Sequence, residues 1–129
     1  MIYFLDNCIS YRYAAMLHAL EMGEVTSLRA HYKEDAKDPV WLPDLGTNGW
    51  TLISVDHAQR RKPEERQAII ASGAMAFYLA KSFLSLMFDE QAWRLVKLWP
   101  EITQTAQKSR GNGKCFLVPM RGGIEPIPL

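Results

Sequence analysis

The stretch "IYFLDN", residues 2–7, sets the pattern of this chain: four apolar, strand-forming residues are followed directly by an aspartate and an asparagine. The pattern returns in "WTLISVD", residues 50–56, which again ends on an aspartate. A short, continuous apolar run is typical of a strand that is buried on both faces, as in a parallel sheet. The two stretches therefore predict two buried strands, each with an acid, Asp6 or Asp56, at its carboxyl end.

Helical and strand-like segments alternate along the rest of the chain. A helix follows the first strand, with Ser10 as its predicted N-cap and Gly23 as its stop. Residues 24–32 are rich in strand formers and precede a polar, turn-like segment. The sequence then predicts a short helix over residues 40–46, a helix opened by Pro63, a strand over residues 74–80, a helix over residues 82–109 and a strand at residues 115–120.

Strands that alternate with helices predict an α/β fold with three layers, α/β/α, around a mostly parallel central sheet. This architecture also predicts the position of the ligand-binding site. Ligands of open parallel sheets bind beyond the carboxyl ends of the strands, near the point where the strand order reverses. Asp6 and Asp56 are expected at that edge.

The composition is that of a folded domain, because 129 residues, of which 48% are hydrophobic and 22% charged, can bury a sizeable core. No apolar segment approaches the roughly 20 residues that a bilayer crossing needs, and the N-terminus lacks the features of a secretory signal. We therefore expect a single domain over residues 1–129, in the cytoplasm and without a membrane partner. Cys8 and Cys115 lie far apart without metal-ligand spacing, so neither a disulfide framework nor a structural zinc site is expected.

A third acid, Asp38, is expected in the polar loop after the second strand, on the same edge as Asp6 and Asp56. Grouped carboxylates raise one another's pKa unless a cation neutralises them, and such hard oxygen ligands suit Mg²⁺ or Mn²⁺. The three acids are therefore candidate metal ligands. The alternative stays open that each of them is only a turn former or a helix cap.

A basic cluster of Arg60, Arg61 and Lys62 follows Asp56 at a short distance along the chain. If the acids hold a metal that acts on a phosphodiester, these three side chains are candidates to bind the backbone phosphates of the substrate. The alternative interpretation is a solvated loop or helix start.

The chain resembles the PIN-like nucleases in three stretches: "YFLDNCIS" at residues 3–10, "DAKDPVWLPDLGTNGWTLISVD" at residues 35–56 and "RRKPEER" at residues 60–66. The resemblance implies an α/β/α nuclease whose acidic cluster binds Mg²⁺ or Mn²⁺ and cleaves RNA. It also implies a biological role, since many such proteins are VapC-type toxins of toxin–antitoxin pairs. The implied partners are RNA, an antitoxin that covers the acidic edge by inserting an arginine, and a second copy of the chain as a homodimer.

Residue by residue, Asp6 matches the first acid of the family, Asp38 the acid before the "WL" motif and Asp56 the acid of the "(T/S)xD" motif. Asn7 matches the polar residue after the first acid, and the resemblance implies that it assists catalysis through a hydrogen bond or a water. The family usually has a fourth acid, which the sequence leaves open among four candidates: Asp44, Glu64, Glu65 and Asp89.

Two other classes of function stay open. A receiver-like signalling domain has about this length and would use Asp56 as a phosphoryl acceptor, but the lysine expected after its fifth strand is not clearly placed here. A PIN-like domain without catalytic activity would serve as a binding module for RNA or for a protein. The missing fourth acid motivates this second alternative, and stabilisation of the fold by Mn²⁺ that depends on Asp6 and Asp56 would favour the enzyme instead.

Overall fold

A computed structural model describes residues 1–109 and 114–128, and the strands of these two ranges form one six-stranded sheet. The strands are β1 (Ile2–Leu5), β2 (Glu24–Ser27), β3 (Trp50–Ser54), β4 (Ala76–Leu79), β5 (Cys115–Val118) and β6 (Glu125–Ile127). The α-helices are α1 (Arg12–Ala19), α2 (Leu28–His31), α3 (Asp38–Asn48), α4 (Pro63–Ser72) and α5 (Phe88–Lys108). Two 3₁₀ turns, His57–Arg60 and Lys81–Ser85, follow β3 and β4.

The sheet has the strand order β2-β1-β3-β4-β5-β6, in which every neighbouring pair is parallel except β5 and β6. The prediction of an α/β fold with a mostly parallel sheet is therefore confirmed. After β1 the chain moves outward to the edge strand β2 and then returns to place β3 on the other side of β1. The strand order thus reverses between β1 and β3, and the crevice at their carboxyl ends is where such sheets bind ligands.

Helices cover both faces of the sheet, because successive strand residues point to opposite faces and both sets are apolar. On one face, Tyr3 and Leu5 of β1 belong to a core that includes buried side chains of α1 and α5. On the other face, Phe4 belongs to a second core with buried side chains of α3 and α4. The predicted three-layer arrangement is therefore present.

Helix α1 is shorter than the sequence predicts. It begins at Arg12, and the Ser10 hydroxyl accepts the Arg12 N–H at 3.2 Å from outside the helix. It ends at Ala19, before the predicted stop at Gly23, because the backbone turns at Glu21, whose φ is +58°. A residue whose backbone has a positive φ cannot continue a right-handed helix.

The segment between α1 and β3 also departs from the prediction. Strand β2 covers only Glu24–Ser27, and the strand-forming residues after it make the short helix α2. The prediction that Asp38 lies in a loop is wrong, since Asp38 is the first residue of α3. An acid in the first turn and a proline, Pro39, directly after it both favour a helix start.

Among the helices in the described parts of the chain, none combines the length and the apolar character needed to cross a membrane.

Candidate active site

Asp6 is the centre of a buried polar cluster at the carboxyl end of β1. Only 6% of the Asp6 surface is exposed. Its Oδ1 accepts the backbone N–H of Asn7 at 2.6 Å. Its Oδ2 accepts two hydrogen bonds, from the Ser54 hydroxyl at 2.7 Å and from the Gln59 side-chain amide at 2.8 Å. These bonds favour the charged carboxylate, but removal from water outweighs them and raises the pKa of Asp6.

Asp56 follows β3, which lies next to β1 in the sheet. Its Oδ1 caps the 3₁₀ turn after it by accepting the Ala58 N–H at 3.1 Å, and its own N–H donates to the Ser54 hydroxyl oxygen at 3.0 Å. Ser54 therefore contacts Asp6 through its hydroxyl proton and Asp56 through its oxygen. One side chain holds the ends of β1 and β3 in a fixed relation at the point where the strand order reverses.

Asp38 reaches the same cluster from the start of α3. Its Oδ2 accepts a hydrogen bond from the Gln59 amide at 3.3 Å. Burial raises the pKa of Asp38, and the nearby Asp56 carboxylate raises it further, while the Gln59 amide and Lys62 act in the opposite direction. The structure thus brings together the three acids that the sequence singled out, Asp6, Asp38 and Asp56.

Glu65, in the first turn of α4, is the fourth acid near this cluster. Burial raises the pKa of Glu65, and the charges of Asp38, Asp56 and Asp6 add to this effect. Within the described ranges, no hydrogen-bond donor reaches its buried Oε2 atom. Of the four candidates, Glu65 is the one whose pKa all three acids raise.

The other three candidates for the fourth acid have different surroundings. Asp44 accepts a hydrogen bond from the Tyr32 hydroxyl at 2.5 Å, which ties α3 to the end of α2. Glu64 is exposed in the first turn of α4, and Asp89 is exposed in the first turn of α5.

The donor set of the cluster fits a hard divalent cation in its chemistry, because it consists of carboxylate oxygens and one of them, Oε2 of Glu65, is buried without a donor. The acids are too far apart, however, to form a coordination shell around one ion. Among the residues in the described ranges, no group of three or more His, Cys, Asp or Glu side chains lies close enough to hold an ion. A cation would therefore require the carboxylates to move towards one another.

Asn7 contacts the cluster through its backbone and not through its side chain. Its N–H donates to Asp6, as described above, whereas its side-chain amide donates to the backbone carbonyl of Glu34 at 2.9 Å. That bond ties the end of β1 to the loop that leads into α3. Asn7 is thus placed to position the loop before Asp38, and its side-chain amide points away from the acids.

The three basic residues after Asp56 have three different surroundings. The Arg60 guanidinium donates to Nδ1 of His57, at 3.1 Å from one of its terminal nitrogens, and the His57 Nε2 in turn contacts the Leu79 carbonyl at 2.8 Å. Arg61 lines a cavity that Asp56 also lines. Lys62 lies near Asp38 and Glu65, and its positive charge partly offsets the rise in the pKa of both carboxyls. Of the three, Arg61 and Lys62 are exposed.

A cavity of about 400 Å³ adjoins the acids and shares Asp56 with them. Arg61 and Lys81 supply positive charge to its lining, and Val55, Ala58 and Leu84 supply apolar surface. Lys81 begins the 3₁₀ turn after β4, so it also lies beyond the carboxyl end of a strand. A cavity that combines cations with apolar walls can hold a phosphate group together with the ring attached to it.

Cys8 also lines this cavity, but it is a poor nucleophile. Removal of the thiol from water and the nearby Asp6 carboxylate raise its pKa to about 12. The thiolate, which is the reactive form, is therefore scarce at neutral pH.

Three residues of the site were not assigned roles from the sequence: Ser54, Gln59 and Lys81. Ser54 stands two residues before Asp56 in the "(T/S)xD" pattern, which was a usable signal. Gln59 and Lys81 carry no comparable local signal, because their importance comes from contacts with residues that are distant along the chain.

The comparison with known families gives one match, over residues 1–81, to the family described as PIN like domain. No curated protein and no solved structure matches the chain significantly. The residues beyond the match contribute α5, β5 and β6 to the same fold. Strand β5 ends at Val118 and is followed by Pro119, where a receiver domain has a lysine. Because the match covers more than half of the chain and includes Asp6, Asp38, Asp56 and Glu65, the chain belongs to the PIN-like domain family.

Proposed function

We propose that this protein is a metal-dependent endoribonuclease that hydrolyses RNA phosphodiester bonds with its acidic cluster. The family has a nuclease-type fold, which supports a hydrolase of nucleic acid. The observation that carries the proposal is the convergence of Asp6, Asp38, Asp56 and Glu65 at the carboxyl edge of the sheet, where burial and neighbouring charge raise the pKa of Asp6, Asp38 and Glu65. Uncompensated negative charge of this kind is relieved by a divalent cation.

In this proposal Asp6, Asp38 and Asp56 hold Mg²⁺ or Mn²⁺, with Glu65 as the fourth acid. A divalent cation bound there supplies a water of lowered pKa and stabilises the negative charge of the phosphate under attack. Ser54 orients Asp6 by its hydrogen bond and so fixes the deepest carboxylate of the cluster. The same oxygen ligands serve Mg²⁺ and Mn²⁺, so either ion fits the proposal.

The substrate side of the proposed site is the cavity beside Asp56. Arg61 and Lys81 hold backbone phosphates there, and Lys62 contributes positive charge close to Asp38. The Arg60 guanidinium donates to His57. In this proposal Arg60 therefore positions His57 and does not bind phosphate. Because Asp56 belongs to both the cavity and the acid cluster, RNA held in the cavity brings a phosphodiester to the acids.

The biological role in this proposal is that of the toxin in a toxin–antitoxin pair in the cytoplasm. An antitoxin would cover the acidic edge and place an arginine among the carboxylates, and a homodimer is a further proposed partner. The exposed apolar side chains Leu84, Met87 and Phe88 support a protein partner on this side of the molecule. Leu84 also lines the cavity, so a partner that covers it would close the substrate side of the site.

A second candidate function is a PIN-like binding module without catalytic activity, for RNA or for a protein. It is favoured by one observation: in the described ranges the acids are too far apart to form a coordination shell. Under this candidate, the basic side chains bind RNA but no bond is hydrolysed.

The test is cleavage of a mixed pool of structured and single-stranded RNAs with and without Mn²⁺. We expect cleavage by the parent only with the cation, and a loss of at least about a hundredfold in Asp6→Asn and Asp56→Asn, because the loss of even an outer partner of a metal ligand costs about 10–100-fold. Glu64→Gln, an exposed acid next to Glu65, is the matched control and should cleave like the parent. If a folded parent binds the RNA but does not cleave it, the binding module replaces the enzyme.

A further inference from the structure

Gln59 is a fully buried polar side chain next to the acids, with 0% of the residue exposed. It lies in the 3₁₀ turn after Asp56. Its Nε2 donates to Asp6 Oδ2 at 2.8 Å and to Asp38 Oδ2 at 3.3 Å, and its Oε1 accepts from the Tyr78 hydroxyl at 3.4 Å. Every polar atom of the amide therefore has a partner, which is what a buried amide requires.

The position of the amide nitrogen has a chemical consequence. It lies between one oxygen of Asp6 and one oxygen of Asp38, two groups of like charge. By donating one hydrogen to each carboxylate, it allows the two acids to remain near each other without a cation. The amide thus does for this pair of carboxylates what a bridging cation would do.

The amide nitrogen occupies the position between Asp6 Oδ2 and Asp38 Oδ2 that a cation shared by these two oxygens would need. The nitrogen lies at hydrogen-bond distance from the two oxygens, whereas Mg²⁺ binds its oxygen ligands at about 2.0–2.1 Å. An ion between Asp6 and Asp38 would occupy the space of the amide nitrogen and draw the oxygens closer. In the described ranges no three acids lie close enough together to hold an ion, which agrees with an amide in that place.

We propose that Gln59 is an internal competitor of the divalent cation: the ion enters between Asp6 and Asp38 only when the Gln59 amide leaves that position. This inference rests on the proposed function, because it takes the acids to be the cation site. The contact with the Tyr78 hydroxyl holds the amide with its nitrogen towards the acids. Gln59 therefore sets the cation concentration at which the site becomes active.

The experiment is a calorimetric titration of Mn²⁺ into the parent, Gln59→Leu and Gln59→Asn. Leucine removes the donor with little change in volume, and asparagine draws the amide back by one methylene. Without the amide, the metal-free carboxylates lose two charge-assisted hydrogen bonds, which cation binding then relieves. We expect Mn²⁺ to bind at least about tenfold more tightly to Gln59→Leu than to the parent, with Gln59→Asn in between.

The matched control is Gln67→Leu, an exposed glutamine on α4, which should bind Mn²⁺ like the parent. If the parent binds Mn²⁺ in a manner that needs Asp6 but both Gln59 variants bind it equally or more weakly, the inference is overturned and the cation site stands. Weaker binding would show that the amide acts as a ligand. If neither the parent nor the Gln59 variants bind Mn²⁺, the proposed function fails and the inference fails with it.

Discussion

Glu65 has an environment that differs from that of an ordinary helix-surface acid. It lies in the first turn of α4, where a negative charge is favourable, yet its Oε2 is buried and no donor in the described ranges contacts it. The charges of Asp38, Asp56 and Asp6 all raise its pKa. A buried carboxylate oxygen without a partner lowers stability unless a proton or a cation neutralises it.

Replacing this residue tests that argument. We expect Glu65→Gln to raise the free energy of unfolding of the metal-free protein by about 1 kcal/mol at neutral pH, because a partly buried charge and its repulsion with the neighbouring acids are removed. The stabilisation by Mn²⁺ should decrease in the same variant. Urea denaturation with and without Mn²⁺ measures both effects. Glu64→Gln is the control, and equal effects in the two variants would contradict a special role for Glu65.

At the scale of elements, helices α3 and α4 are held together by a close approach of their backbones. A Cβ atom added at Gly46 of α3 would lie 2.0 Å from the backbone oxygen of Ser72, the last residue of α4. No side chain fits there without separating the two helices. Because α3 carries Asp38 and α4 carries Glu65, this contact also fixes the relation between two acids of the site.

We expect Gly46→Ala to lower the free energy of unfolding by about 2–3 kcal/mol, since the added methyl forces the helices apart. The matched control is Gly49→Ala at the end of α3, where φ is +66° but a Cβ meets nothing within 4 Å. That change should cost only about 1 kcal/mol, from backbone strain alone. Chemical denaturation of the two variants measures the difference. An equal loss in both would show that the helix contact is not tight.

At the scale of the whole molecule, the fold gathers negative charge from distant parts of the sequence. Asp6, Asp38 and Glu65 each have a pKa above the ordinary value, so the folded protein binds protons more tightly at these groups than the unfolded chain does. For an acid with a raised pKa, stability is lost as the pH rises from the unfolded pKa, about 4, through the folded one. The metal-free protein therefore loses stability in this range through these three groups.

This loss of stability with rising pH can be checked by comparing the pH dependence of unfolding in the parent and in Asp38→Asn. As the pH rises above about 4, the free energy of unfolding of the metal-free parent should fall by more than that of Asp38→Asn, because the parent has one more acid with a raised pKa. Saturating Mn²⁺ should reduce the fall in the parent. The measurement is urea denaturation at each pH. A steeper fall in the variant than in the parent would overturn the assignment of raised pKa values.

Much of the fold could be predicted from local patterns. The apolar runs that end at Asp6 and Asp56 predicted β1 and β3, because strands buried on both faces need continuous apolar residues. The alternation of strands and helices predicted the three layers. Strand β6 was not predicted, since its residues, Glu125–Ile127, are only a glutamate, a proline and an isoleucine, and their pairing depends on β5. That the whole chain forms one domain remains a prediction.

The sequence by itself determined strands β1 and β3, the acids that follow them, Asp6 and Asp56, and the alternation of strands and helices, because these follow from the order of apolar and polar residues along short segments. Only the tertiary structure decided that β3 returns to lie beside β1, and this brings Ser54 to Asp6. It also distinguished Glu65 from the other acids and placed Gln59 between two carboxylates. The physical reason is that burial, like-charge repulsion and hydrogen bonding act between residues that are near in space, whatever their separation in the chain.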